Sequence, residues 1–259
     1  MIRPSFLILL PATLLCGLSA HAQQPRVYLR TICTKVTPGA GREYEKAMEA
    51  ITKMNQHRIK QSKLLRYVFA SNAMLGEQST CDYLAAYVYN GPPPEATIET
   101  TTADMAAAGA GSYDAFLAKT RALGSKRVNT EIYIALATIG ETKAGNYFSL
   151  NQMKVRDFAE WNKLETEVWK PIMEERIKGG NLAAWRSYNR VMPSGANHPY
   201  NAVTVDVHPA WADIFKPAGV AAAFKKVHPN MSTDEFNNRT EKAREIVNRE
   251  VYRVLVSIQ

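Results

Sequence analysis

Val128-Asn129-Thr130-Glu131-Ile132-Tyr133 recurs as Val247-Asn248-Arg249-Glu250-Val251-Tyr252, 119 positions further along the chain. The match continues through Leu136/Leu255 and Ile139/Ile258. Self-similarity at a fixed spacing is the first thing to look for in a sequence, because it decides the architecture before any single element is assigned.

Working back from these segments, the correspondence persists in order. Tyr83 and Val88 match Tyr200 and Val205 at a shift of 117, and Leu64, Tyr67 and Met74 match Leu182, Trp185 and Met192 at 118. Tyr44 and Lys46 match Trp161 and Lys163 at 117, and Tyr28, Lys35 and Val36 match Tyr147, Lys154 and Val155 at 119. Five ordered blocks at a nearly constant shift are expected from two copies of one unit. The reading assigns residues 23–140 to the first copy and 146–259 to the second, joined near Gly140–Gly145.

Each copy reads as the same string of elements. Residues 27–36 alternate in polarity and are rich in β-formers. Pro38-Gly39-Ala40-Gly41 turns the chain, and residues 42–60 carry Tyr44, Met48, Ile51 and Met54 at helical spacing. Residues 64–69 and 83–89 read as strands across a connection containing Gly76. An irregular stretch rich in Pro and Ala follows, then a helix over 113–123 and a strand over 131–139. This β-α-β-β-α-β order is the ferredoxin-like unit. In the second copy Ser232 and Glu235 have capping-box spacing, and Met231 and Phe236 occupy the positions of a hydrophobic staple, so a helix starts near Thr233.

The fold class expected is therefore α+β: two tandem ferredoxin-like repeats packed sheet to sheet as an intramolecular barrel. Helices cover one face of each sheet. The fourth strand is apolar on both faces, with Ile132, Ile134 and Leu136 on one and Tyr133, Ala135, Ala137 and Ile139 on the other. The side away from the helices thus needs cover too, which the other copy supplies. In this topology the first and third strands are antiparallel neighbours. Cys33, late in one, and Cys81, just before the other, lie near the same end, where either a disulfide or two buried free thiols fit.

The chain has 259 residues, 46% hydrophobic and 22% charged, which excludes collagen, coiled-coil and disordered classes. Its start reads as an export signal: Arg3 as the positive region, residues 6–18 as the apolar run, and Ala20-His21-Ala22 as the cleavage site before Gln23. That run is too short to span a bilayer, and no later stretch is long and apolar enough. A lipoprotein anchor at Cys16 is the rival reading; Leu15 is large where such signals carry a small residue. Cleavage after Ala22 leaves 237 residues and a net charge of +7. A periplasmic or extracellular location is expected, oxidising enough for a disulfide. The positive charge is spread rather than massed, which speaks against nucleic-acid binding.

In these features the chain resembles the dimeric α/β-barrel superfamily, which includes antibiotic-biosynthesis-monooxygenase-like, stress-responsive barrel and NIPSNAP-type domains. The resemblance is carried by the first strand running into Val36-Thr37-Pro38-Gly39 and by Arg42-Glu43-Tyr44-Glu45-Lys46 at the helix start. The second copy departs from it: Lys154-Val155-Arg156-Asp157-Phe158 lacks Pro-Gly, although Glu160-Trp161 follows in place. The resemblance implies a pocket for an apolar or aromatic molecule. Some members bind haem and some oxygenate substrates without a cofactor, so it implies no particular reaction.

Candidate chemistry is sparse. No nucleophile elbow, phosphate loop or zinc spacing occurs, so no catalytic residue is assigned, no metal site is expected and no cofactor is implied. A haem would need an axial ligand, for which His57 or His198 would serve; His208 and His228 each sit in Val-His-Pro and read as turn punctuation. The remaining signal is aromatic. Tyr67 and Trp185, Tyr83 and Tyr200, together with His57, are the candidate ligand-binding residues, against the alternative that these aromatics fill the core. Three functions remain open: an exported binder of a small apolar or aromatic molecule, a cofactor-independent monooxygenase-like enzyme, and a non-enzymatic interaction protein of the cell envelope, with self-association possible in each case.

Overall fold

The computed structural model describes residues 26–74 and 79–259. The export segment, including Cys16 and the Ala22 cleavage site, and the turn at Gly76 lie outside those residues.

The first half contributes β1 (Val27–Lys35), β2 (Arg66–Asn72), β3 (Tyr83–Asn90) and β4 (Lys126–Gly140). The second contributes β5 (Tyr147–Val155), β6 (Ala184–Met192), β7 (Ala202–His208) and β8 (Arg244–Ile258). Within the first half the antiparallel order is β4-β1-β3-β2, and within the second it is β8-β5-β7-β6. The two orders are the same permutation.

The halves meet differently from two sheets merely stacked face to face. β2 pairs with β8 and β4 pairs with β6, so the eight strands form one antiparallel sheet that closes on itself. The joints are the two longest strands, β4 and β8, of 15 residues each. One end of β4 pairs with β1 and the other with β6. An edge strand's unpaired N–H and C=O groups are satisfied by pairing or by closure, and here they pair with the other half. The alternation expected along β4 breaks where its pairing with β6 shifts between Ala135 and Ala137. Tyr133 and Ala135 pack inside the ring, whereas Leu136 meets Trp161 and Ala137 meets Trp185 on the helix side.

Helices cover the outside. The first half carries α1 (Gly41–Lys60), α2 (Ile98–Ala107) and α3 (Tyr113–Ala122). The second carries α4 (Phe158–Lys163), a π-helical turn Leu164–Trp169, α5 (Lys170–Lys178), α6 (Val220–Val227) and α7 (Thr233–Ala243). α2 falls in the stretch expected to be irregular; the Thr97 hydroxyl caps it by accepting from the Thr100 N–H at 3.1 Å. β4 starts five residues earlier than expected, because β1 pairs with the polar Lys126 and Arg127. α7 starts where the sequence places it. Ser232 Oγ accepts from the Glu235 N–H at 3.0 Å, and Met231 packs into the cluster that holds Phe236. Cys33 and Cys81 are bridged, with Cα atoms 5.3 Å apart. Among the described residues no helix is long and apolar enough to cross a membrane.

Candidate functional site

Along β5, β6 and β7 the side chains alternate between the ring interior and the helices, as a strand's period of two requires. The inward set is apolar except for Arg186: Phe148, Leu150, Tyr188, Val203, Val205 and Val207 complete it. The helix-facing set is Ser149, Asn151, Trp185, Ser187, Thr204, Asp206 and His208. Helices normally bury an apolar sheet face, so this polar face beneath them is the anomaly that locates a site.

Between that face and the α4–α5 segment lies a cavity of about 270 Å³. Glu165, Trp169, Met173 and Arg176 line it from the helix side, Trp185, Asp206 and His208 from the sheet, and Arg244 and Arg249 from β8. Part of its polar lining is internally satisfied. Asn151 Nδ2 donates to Thr204 Oγ1 and to Asp206 Oδ2, each at 3.1 Å, and Arg249 Nε donates to Asn151 Oδ1 at 2.6 Å. The rest is not. Glu165 Oε2, Trp169 Nε1, Arg176 Nε, His208 Nδ1 and Arg244 Nε are buried without a hydrogen-bond partner, and so is Ser187 Oγ on the same sheet face. Each such atom forfeits about 1–3 kcal/mol relative to a paired one.

The local helix geometry puts Glu165 there. The turn Leu164–Trp169 is π-helical, and Pro171 follows immediately in the first turn of α5. Proline has no N–H to return to the Glu167 carbonyl, and the widened turn absorbs that mismatch. Glu165 is 1% exposed. Burial pushes its carboxyl up to about 8, with the Arg244 charge opposing the shift. Burial also holds the His208 imidazole below its ordinary value, against the pull of Asp206. At neutral pH the site therefore contains mostly protonated Glu165, neutral His208, the carboxylate of Asp206, three guanidinium groups and, at its edge, the Lys216–Asp213 ion pair. Arg244 additionally stacks over the Trp169 ring, 5.7 Å from its centroid. The arrangement is rich in donors and net positive, and so suited to a ligand with an anionic or strongly accepting group.

The residues singled out from sequence do not converge. Trp185 lines this cavity. Tyr67 is fully buried in the first-half core, where its ring lies 5.1 Å from that of Tyr87. Tyr83 is in the same core, between Tyr44 and Phe69, and its hydroxyl donates to Glu45 at 3.1 Å. His57 sits on α1 with its Nε2 buried and unpaired. Tyr200 is not the counterpart of Tyr83: strand pairing sets Tyr83 opposite Thr34 and Ala202 opposite Met153, so Ala202 holds the matching place. Tyr200 belongs to a buried clasp instead. Its hydroxyl donates to Glu131 (2.8 Å), as do the Tyr133 hydroxyl (2.6 Å) and Arg190 Nη1 (2.9 Å), and the Arg190 guanidinium lies 4.5 Å over the Tyr200 ring. Neither His57 nor His198 is brought to the second-half cavity.

Sequence reading missed Glu165, Arg176 and Arg244, which stand far apart in the chain. One signal for Glu165 was present. The shift between matched positions grows from 117 at Tyr44/Trp161 to 118 at Leu64/Leu182, an extra residue inside the second helix, which a π turn accommodates.

No protein-family model matches the sequence, and no curated protein matches it. Solved structures do match. A candidate monooxygenase from Fusobacterium nucleatum is similar at a TM-score of 0.54 and 12% identity, over 91% of this chain and 95% of that one. A candidate monooxygenase from Lactobacillus acidophilus reaches 0.49 at 13% identity, over 91% and 94%, and a heme-binding protein from Thermus thermophilus 0.48 at 12%, over 91% and 96%. At such identities the Fusobacterium likeness shows a shared α+β fold and nothing of the chemistry.

Proposed function

We propose that the protein is an exported small-molecule-binding protein whose ligand occupies the second-half cavity. The ligand places an anionic or strongly accepting group against Arg176 and Arg244, and an aromatic or apolar body against Trp169, Met173 and Trp185. One observation carries this reading: five buried polar atoms in the cavity lining have no partner, and four of the five are on nitrogen. The bridged Cys33–Cys81 pair supports the export reading, since such bonds persist in oxidising compartments.

All four tryptophans, Trp161, Trp169, Trp185 and Trp211, lie in the second half, so intrinsic fluorescence reports on this cavity. Titration with benzoate is expected to quench that emission, while benzyl alcohol, lacking the charge, binds far more weakly. Arg176→Met should weaken benzoate binding at least ~10-fold, the scale of a lost charge-assisted hydrogen bond. If no aromatic acid alters the emission, and native mass spectrometry of protein from its own envelope shows no bound small molecule, the reading fails. Edman sequencing of the exported form should begin at Gln23.

A second reading, a cofactor-independent monooxygenase-like enzyme, is favoured by Glu165. As a carboxylate it accepts a proton from a substrate hydroxyl: the O–H bond breaks, the proton goes to Glu165 Oε2, and the electron pair stays on the substrate oxygen beside Arg176 and Arg244. Oxygen uptake with quinol substrates would then rise with pH through about 8 and vanish in Glu165→Gln. No uptake at any pH removes this reading and leaves the binder.

A further inference from the structure

The interior of the closed sheet is a separate space from either helix layer. An eight-stranded barrel leaves an interior that side chains fill or that holds one small ligand. Here Val68, Ala86, Val88, Leu150 and Val205 point inward but stay partly exposed, around a cavity of about 80 Å³. Filled cores leave such side chains fully buried.

Two arginines stand at this cavity, Arg66 from β2 and Arg186 from β6. Their charges act on each other and on the Tyr188 ring that lies with them. Among the described residues neither forms an ion pair. Arg66 donates to the Gln259 side-chain oxygen, a neutral acceptor. The carboxylate that acts on Arg66, Glu141, is held by Lys143 at 3.2 Å. The one carboxylate in the cavity lining, Glu131, is already held by Arg190 and two tyrosine hydroxyls, so the like charges of Arg66 and Arg186 are left to repel each other unless an anion joins them.

We propose that the barrel interior is a second ligand site, independent of the helix-side cavity, which takes the chain of a short aliphatic carboxylic acid and holds its carboxylate at Arg66 and Arg186. Apolar walls reward each methylene by the ordinary hydrophobic increment, and the closed ring sets a length beyond which the reward stops.

Isothermal titration calorimetry with the straight-chain acids from acetate to octanoate tests this. Affinity should rise about threefold to fourfold per methylene and then level off or fall within the series. The double variant Arg66→Gln, Arg186→Gln should lose at least ~10-fold in butanoate affinity and leave butanol binding unchanged. Val205→Phe should abolish binding of both. Affinity that climbs without a limit, or that ignores the arginine pair, overturns the proposal. So does loss of butanoate binding in Arg176→Met, which would put the acid in the helix-side cavity; benzoate quenching of tryptophan reports on that cavity separately.

Discussion

The two halves present the same helix-facing strand positions with opposite chemistry. By strand register, Ile32 stands where Asn151 stands, Phe69 where Ser187 stands, Ala85 where Thr204 stands, and Tyr87 and Tyr89 where Asp206 and His208 stand. The covering helix differs in the same sense. α1 runs unbroken for 20 residues and buries Tyr44, Met48, Ile51 and Met54, whereas its counterpart is widened by a π turn and brings in Glu165. Both helix–sheet layers enclose a cavity, about 510 Å³ in the first half and about 270 Å³ in the second; the first is walled mainly by apolar and aromatic side chains, whereas the second assembles buried polar groups. A backbone that tolerates the apolar solution shows that the polar one is not forced by topology, and polar groups buried without partners mark function more often than stability.

The largest test transplants the second half's chemistry into the first. Phe69, 2% exposed and stacked on Tyr83, holds the place of Ser187. Phe69→Ser leaves a cavity and a buried hydroxyl, and should cost about 4–5 kcal/mol in urea unfolding. A cost below about 1 kcal/mol would mean that the first layer is not the core described.

The disulfide sharpens the same contrast, because Gln152 stands at the Cys33 position in the second half and only the first half is stapled. The bridge spans 48 residues, and the entropy of closing such a loop predicts a loss of about 3–4 kcal/mol for the double variant Cys33→Ala, Cys81→Ala. Hydrogen exchange should show the loss concentrated in β1 and β3, with β5 and β7 protected. Even loss across all four strands would show that the closed sheet unfolds as one unit.

How far the sequence reveals this molecule depends on the scale of the feature. Strand order within each half follows from the matched segments, and the start of α7 follows from Ser232 and Glu235, because both rest on local spacing. Register does not. Tyr83 and Tyr200 match by letter, yet the pairing of β5 with β7 places Ala202 opposite Met153 and frees Tyr200 to clasp Glu131. The second-half cavity was the least legible feature. Its charged groups come from elements separated by dozens of residues, and only the pairing of β8 with β5, which sets Arg244 opposite Val155, brings that arginine to the sheet face beneath the π turn.

Acidity separates the halves as well. Glu165 has a folded value near 8 against an ordinary 4.5, so between those values the folded protein binds the extra proton and stability falls as pH rises. The slope approaches about 1.4 kcal/mol per pH unit for one such group. Thermal unfolding from pH 5 to pH 8 should show it in the wild type, and Glu165→Gln should flatten it. His208 acts at the other end: buried and neutral when folded, it contributes stability that is lost as pH falls through its ordinary value of 6.5. A Glu165→Gln profile that matches the wild type would mean that water or a ligand already solvates the carboxyl.

The smallest effect is the most discriminating. Ser187 is fully buried with its hydroxyl unpaired, at the position where the first half has Phe69. Ser187→Ala removes an unsatisfied polar atom with almost no change in volume, and should stabilise the protein by about 1 kcal/mol. A hydroxyl that serves only structure would give that gain without further consequence. A hydroxyl kept for the cavity would give the same gain together with weaker benzoate quenching of Trp169 and Trp185. Measured on one protein preparation, the two readouts separate a packing defect from a site that trades stability for binding.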